Sequence, residues 1–195
     1  MVEETEKQEL ANHWHIPLDS CFADTLTVKN VLQNMSEWRL EQSDVPFIIR
    51  LIENPKYKLS WVFPGSTTLQ AHDCIHIALG RGVLLKDEAF VIGFTMGSTN
   101  QMTTLRSSLF LKCAQYLYPE GYKFHSTEAK IFRDGVRLAQ IMNCENLSKF
   151  NFDQHLDKTI AELRNIIKLD IPLIRSYYEY EKKHNRGCRE CQRLV

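Results

Sequence analysis

Two histidines stand four residues apart in the run Thr67-Thr68-Leu69-Gln70-Ala71-His72-Asp73-Cys74-Ile75-His76-Ile77-Ala78-Leu79. On a helix, positions i and i+4 share a face, so both imidazoles reach one point in space. That spacing is what a metal held by a single helix requires. Asp73 lies about 100° round from His72 at ~3.6 residues per turn. It ligates only a metal displaced to its side, or it orients a neighbouring group. Glu88 follows the break at Gly80-Arg81-Gly82 and opens the next apolar run. An antiparallel return there aims its carboxylate at the histidines. Two imidazoles and one or two carboxylates suit a divalent cation with positions left open, whether Zn²⁺, Mg²⁺, Mn²⁺ or Fe²⁺. The competing account is a pair of histidines satisfied inside a helix-packing core. Leu69, Ala71, Ile75, Ile77, Ala78 and Leu79 surround them, and buried polar groups need partners.

The elements that must hold these groups are helices. Pro64-Gly65 turns the chain, and Ser66, Thr67 or Thr68 caps the helix that carries the histidines. Behind Glu88, the run Ala89-Phe90-Val91-Ile92-Gly93-Phe94-Thr95-Met96-Gly97 is polar only at Thr95. A helix apolar on nearly all sides is buried or lines a greasy cavity. Gly93 and Gly97 stand four apart, and each costs ~1 kcal/mol relative to Ala inside a helix. Their shared face is either a close helix contact or room for a ligand. In the second case Phe90, Gly93, Phe94 and Gly97 line a slot for a long apolar molecule.

Further helices are expected from Asp24 or Thr25 to Met35, from Pro46 to Asn54, and from Thr103 or Thr104 to Tyr118. Another runs from Ser126 to Met142, and a last one begins at Asp153 with the stripe Leu156, Ile160, Leu163 and Ile167. Trp61 and Phe63 read as core before substrate contacts. Arg133 and Arg137 share a face that holds a carboxylate or phosphate, or pairs with Asp134 or Glu128. His13 and His15 converge only in an extended segment. The fold expected is all-α: a single-domain multi-helix bundle with the metal site between two adjacent helices. Residues 1–15 form a flexible segment, 16–180 the helical domain, and 181–195 a basic tail.

Lys and Arg together number 24, as do Asp and Glu, so formal net charge is zero. No global field favours a nucleic-acid partner. The six cysteines are mostly scattered through apolar segments and read as buried free thiols of a reducing compartment. Cys188 and Cys191 form a lone Cys-x-x-Cys, a redox pair or half of a metal site. The acidic start Met1-Val2-Glu3-Glu4 resembles neither a signal nor a transit peptide. No apolar run is long enough to span a membrane. A cytoplasmic protein with at most a peripheral membrane contact is expected.

The pattern His72-Asp73-x-x-His76, eleven residues, then Glu88 resembles the signature of the coenzyme Q biosynthesis protein 4 family. Phe132-Arg133-Asp134-Gly135-Val136-Arg137-Leu138-Ala139 and the stretch Asn151 to Arg164, with Leu163-Arg164 at its end, are similar to that family's closing helices. The likeness covers roughly residues 20 to 172, and the tail lies beyond it. The resemblance implies an all-helical protein of ubiquinone assembly that binds a divalent metal, usually zinc, through His72, Asp73, His76 and Glu88. It implies Asp73 and Glu88 as the catalytic carboxylates, acting on a prenylated aromatic precursor by oxidative decarboxylation at the head group. The implied partners are a polyprenyl quinone precursor or related isoprenoid lipid, other quinone-biosynthesis proteins, a membrane surface and, as an open choice, a second copy of the chain. The alternatives are a non-catalytic prenyl-lipid scaffold, a metal-dependent phosphohydrolase suggested by the His72-Asp73 doublet, and a zinc peptidase. A peptidase normally carries Glu where Asp73 stands.

Overall fold

The computed structural model describes residues 14–16, 18, 22–35 and 63–195. His13, Cys21, Trp61 and the helix expected from Pro46 lie outside these residues. Among the described residues the chain is all-α, with no strand. Its helices are α1 (Phe22–Thr25), α2 (Val28–Met35), α3 (Leu69–Leu79), α4 (Leu85–Ser98), α5 (Thr104–Tyr116), α6 (Ser126–Met142), α7 (Ile160–Ile166), α8 (Ile171–His184) and α9 (Arg189–Gln192).

Helix α4 is the centre of the core. Phe90, Val91, Phe94 and Met96 are all buried, as are Gly93 and Gly97. Its main partner is α6, and three glycines bring the two backbones together. A Cβ at Gly93 would collide with the Phe132 carbonyl, and one at Gly97 would lie 2.5 Å from the Val136 carbonyl. From the other side, a Cβ at Gly135 would lie 2.7 Å from the Phe90 carbonyl. Of the face expected to line a lipid slot, Gly93 and Gly97 are therefore covered by α6, while the Phe90 ring packs on Arg81, Tyr177 and Tyr178 and against Phe94. Small residues on both helices permit an approach that leaves no room for a third body.

One cluster of aromatic side chains, Phe63, Phe110, Tyr118, Phe124 and Phe132, joins α5 to α6. Phe110 of α5 stacks on Phe132 at 4.9 Å between ring centroids and meets Phe63 edge-on at 5.7 Å. Each such buried ring contributes roughly 1.5–3 kcal/mol through removal from water. Phe63 is thus core, as its type suggested. Arg133 and Arg137 are both exposed on α6.

Three boundaries differ from expectation. The first long helix is broken between α1 and α2, where Thr27 bridges Thr159 and Val28 N–H donates to the Lys158 carbonyl at 3.0 Å. The helix expected from Asp153 is only a 3-10 turn there, Phe152–His155. Helix α7 starts after Thr159, whose Oγ1 accepts from Glu162 N–H at 3.2 Å while Glu162 accepts from Thr159 N–H at 2.9 Å. This reciprocal cap outcompetes the weaker Asp153 start. Finally, 181–195 is not a separate tail. Glu181, Cys191 and Leu194 are buried in the same core.

Candidate metal centre

Helix α3 carries His72 and His76, and its ends are well defined. Thr68 Oγ1 accepts from Ala71 N–H at 3.3 Å. At the other end Gly80 takes a left-handed φ of 67°, and Arg81 N–H reaches back to the His76 carbonyl at 3.1 Å. Glycine is the residue that adopts this conformation without strain. Two side chains from distant helices finish the same end. Arg164 Nε donates to the Ala78 carbonyl at 2.9 Å, and Tyr178 Oη donates to the Leu79 carbonyl at 2.7 Å. They satisfy carbonyls that a helix end otherwise leaves open.

The reversal at Gly80 carries Gly82 over the end of α3, where its carbonyl lies 2.7 Å from His76 Nδ1. That carbonyl only accepts, so His76 Nδ1 carries a proton and the ring of a neutral His76 offers its Nε2 lone pair. Asp87 then accepts from Leu84 N–H at 3.1 Å and starts α4. Glu88 follows on the first turn of that helix, directed back at α3.

The three ligand atoms form a small triangle. His72 Nε2 is 2.9 Å from Glu88 Oε2, His76 Nε2 is 3.2 Å from Glu88 Oε1, and the two Nε2 atoms are 3.0 Å apart. Ligands on a tetrahedral Zn²⁺ at 2.0–2.2 Å stand about 3.3 Å from one another. The observed edges are shorter by only a few tenths of an ångström. Hydrogen bonds alone satisfy the triangle poorly. A proton on His72 Nε2 serves Glu88, but the His76 Nε2 lone pair then faces a carboxylate oxygen and another imidazole. A cation at the centre satisfies all three at once, which is the donor chemistry a metal requires.

Among the described residues, only His72, His76 and Glu88 bring three metal-ligating atoms together. Asp73 is not among them. It is buried at 6% exposure, one step round α3, and there its charge acts on Cys74. Burial, then Asp73 and Asp153, push the Cys74 thiol up to about 12. Burial opposes ionisation of Glu88, but the neighbouring His76 and His72 outweigh it and hold the carboxyl well below its usual range.

His76 is buried, whereas His72 and Glu88 remain partly exposed. Beside His72 lies a shallow cleft lined by Gly65, Ser66, Thr67, Ile92, Thr95 and Met96. It holds about 20 Å³ of free room, enough for one water molecule. The wall of this cleft is mixed, with Ser66 and Thr67 beside Ile92 and Met96, and the Thr95 hydroxyl donates to the Val91 carbonyl at 2.7 Å.

Residues that no motif marks complete the site. Arg81 is fully buried, stacked 4.0 Å above Phe90 and 4.3 Å from the Tyr178 ring centroid. It donates to both carboxylate oxygens of Glu181, at 3.0 and 2.5 Å. Asp87, also buried, pairs with Arg193. Burial raises the Asp87 carboxyl, and Arg81 and Arg193 oppose that rise. These groups hold the loop between α3 and α4 from behind. Comparison with protein-family models, with curated proteins and with solved structures returned no match for this chain.

Proposed function

We propose that this chain binds one divalent cation through His72, His76 and Glu88 and serves quinone biosynthesis as a protein of the coenzyme Q protein 4 type. The convergence of three ligand atoms from two helices carries the metal half of this reading. The motif spacing supports the quinone half. A bound divalent cation supplies Lewis-acid polarisation of a phenolic or carboxylate head group. Gly82 keeps His76 in the tautomer that offers Nε2. The cleft beside the partly exposed His72, lined in part by Ser66 and Thr67, is the side from which a head group approaches. Because α6 occupies the glycine face of α4, a prenyl tail lies outside that helix pair. This arrangement suits a substrate presented from a membrane surface. No described helix is long and apolar enough to cross a membrane.

One observation favours a second reading, a non-catalytic prenyl-lipid scaffold with a structural metal. The room beside His72 is water-sized. A phosphohydrolase or peptidase reading loses support from Asp73, which stands apart from the triangle.

The test is metal content and native mass spectrometry of the wild type beside a His76→Ala, Glu88→Ala variant. Stoichiometric metal in the wild type, lost in the variant, is expected, together with a co-purifying prenyl lipid. Turnover of carboxylated prenyl-aromatic precursors then separates enzyme from scaffold. A folded wild type that takes up no Zn²⁺, Mn²⁺ or Fe²⁺ would overturn the proposal.

A further inference from the structure

The segment 185–195 packs against the loop that builds the candidate metal centre. The Arg193 guanidinium occupies the space that a Cβ at Gly82 would take, and it pairs with Asp87, the neighbour of Glu88. Gly82 is the residue whose carbonyl orients His76. Lys86 donates to Glu190 at 3.3 Å, and Leu194 is fully buried. One turn of helix, α9, sets the position of all these contacts.

That turn is built on Cys188 and Cys191. Cys188 caps it, its Sγ accepting from Cys191 N–H at 3.2 Å. The two Sγ atoms lie 2.6 Å apart, about half an ångström beyond a disulfide bond of ~2.05 Å. Residues one helical turn apart fall within disulfide reach. Cys191 is fully buried, and Cys188 is half-buried, so an external reagent meets Cys188 first. No third His, Cys, Asp or Glu joins them in a ligand group among the described residues. Cys188 Sγ also donates to Glu190 Oε2 at 3.2 Å, but the shortest contact of the pair is sulfur to sulfur, so it is arranged to bond to itself.

We propose that Cys188 and Cys191 are a thiol–disulfide exchange site, oxidised by low-molecular-weight disulfides such as oxidised glutathione, and that the internal disulfide tightens the grip of Arg193 on the loop carrying Gly82 and Asp87. In the first step the Cys188 thiolate attacks the external disulfide. An S–S bond forms to Cys188, the old S–S bond breaks, and one glutathione leaves as thiolate, taking up the proton that Cys188 lost. Cys191, deprotonated in turn, attacks the Cys188 sulfur and expels the second glutathione, which takes up that proton. Two protein thiols are oxidised and one external disulfide is reduced to two thiols.

The surroundings suit a persistent disulfide. Burial raises the Cys188 thiol and, with Cys188 and Glu181 nearby, raises Cys191 further. A dithiol whose reduced form is stabilised as a thiolate makes a strong oxidant. Here burial outweighs the hydrogen bond that Cys191 N–H gives the Cys188 sulfur, so the thiolate gains little and the disulfide is not a strong oxidant. The exchange site stands independently of the quinone reading, and its effect on the loop is readable without metal.

The experiment uses the full chain, reduced, freed of reductant and equilibrated with mixtures of oxidised and reduced glutathione. Alkylation then traps free thiols before intact and peptide mass spectrometry. A loss of about 2 Da, mapped to the peptide bearing Cys188 and Cys191, is expected. Cys191→Ser is expected to stop at a glutathione adduct on Cys188. Backbone hydrogen exchange at residues 81–88 is expected to slow about threefold or more in the oxidised wild type. Because both samples are the same chain, that comparison does not depend on any variant folding. Wild type that yields only glutathione adducts, or stays fully alkylated at every ratio, overturns the exchange site. An internal disulfide with unchanged exchange at 81–88 overturns the coupling to the loop.

Discussion

His76 is held at both ring nitrogens, and this distinguishes it from an ordinary core histidine. A satisfied core imidazole needs one donor and one acceptor partner. His76 has a carbonyl at Nδ1, but at Nε2 it meets a second imidazole and a carboxylate. The i,i+4 spacing and the placement of Glu88 made these three residues legible in the sequence, because helical periodicity alone brings them to one point. Asp73 was ambiguous for the same reason, and a 100° offset leaves it on the wrong side. Glu88 yields a pH prediction. Its folded-state carboxyl is held below the ordinary 4.5, so the stability it contributes is present above that value and is lost as pH falls beneath it. Metal-free Glu88→Gln is therefore expected to melt below the wild type at neutral pH, with the gap closing as pH falls from about 5 towards 3. Thermal melts across that range check it, and a pH-independent gap contradicts it. Cys74 gives a second prediction. Being buried, with its thiol raised to about 12, it is expected to resist iodoacetamide in the native protein and react on unfolding.

At the scale of elements, the α4–α6 contact determines how the site is supported. Replacing a helical glycine with alanine gains ~1 kcal/mol of helix propensity. At Gly93 and Gly97 the added methyl meets backbone carbonyls on α6, which cannot rotate aside like a flexible side chain. The helices must separate, an overpacking cost of typically 1–3 kcal/mol or more. Gly93→Ala and Gly97→Ala are thus each expected to lose about 1–3 kcal/mol in denaturant titrations. Gly187→Ala, with nothing within 4 Å of its added Cβ, is expected within about 0.5 kcal/mol of wild type. Wild-type stability in Gly93→Ala would mean that the two helices do not touch there. The sequence marked both glycines as special and favoured a close contact only slightly over a ligand slot. Periodicity locates a face without saying what covers it, and Gly135 on α6 supplies the answer from 42 positions after Gly93. The α7 start shows a similar limit. Both Asp153 and Thr159 are competent caps by type, and the reciprocal bonds of Thr159 with Glu162 decide between them.

The whole molecule is closed by a pair of charges that local sequence cannot reveal. Arg81 and Glu181 are 100 residues apart, fully buried, and joined by two hydrogen bonds. Charged residues are almost never buried unless paired, so each looks like a surface residue until the other is placed. This is why residues 181–195 read as a solvated basic tail. The pair ties the loop beside the metal helix to α8, with Phe90 and Tyr178 stacked on the guanidinium. Removing Arg81 strips Glu181 of its only buried cation among the contacts described, a loss of about 3–5 kcal/mol, whereas replacing both with apolar residues of similar volume is often neutral, Asp87 keeping its pairing with Arg193. Arg81→Ala is therefore expected to cost that much stability, and Arg81→Met with Glu181→Leu to recover most of it. Arg81→Lys is expected to fall between them, because a lysine cannot reproduce the forked hydrogen bonds or the stacking. Urea unfolding of the four proteins makes the comparison. If the double variant is as unstable as Arg81→Ala, the loss comes from the aromatic stack and the shape of the guanidinium. The stranded charge would then be the minor part, and the loop would owe its position to packing.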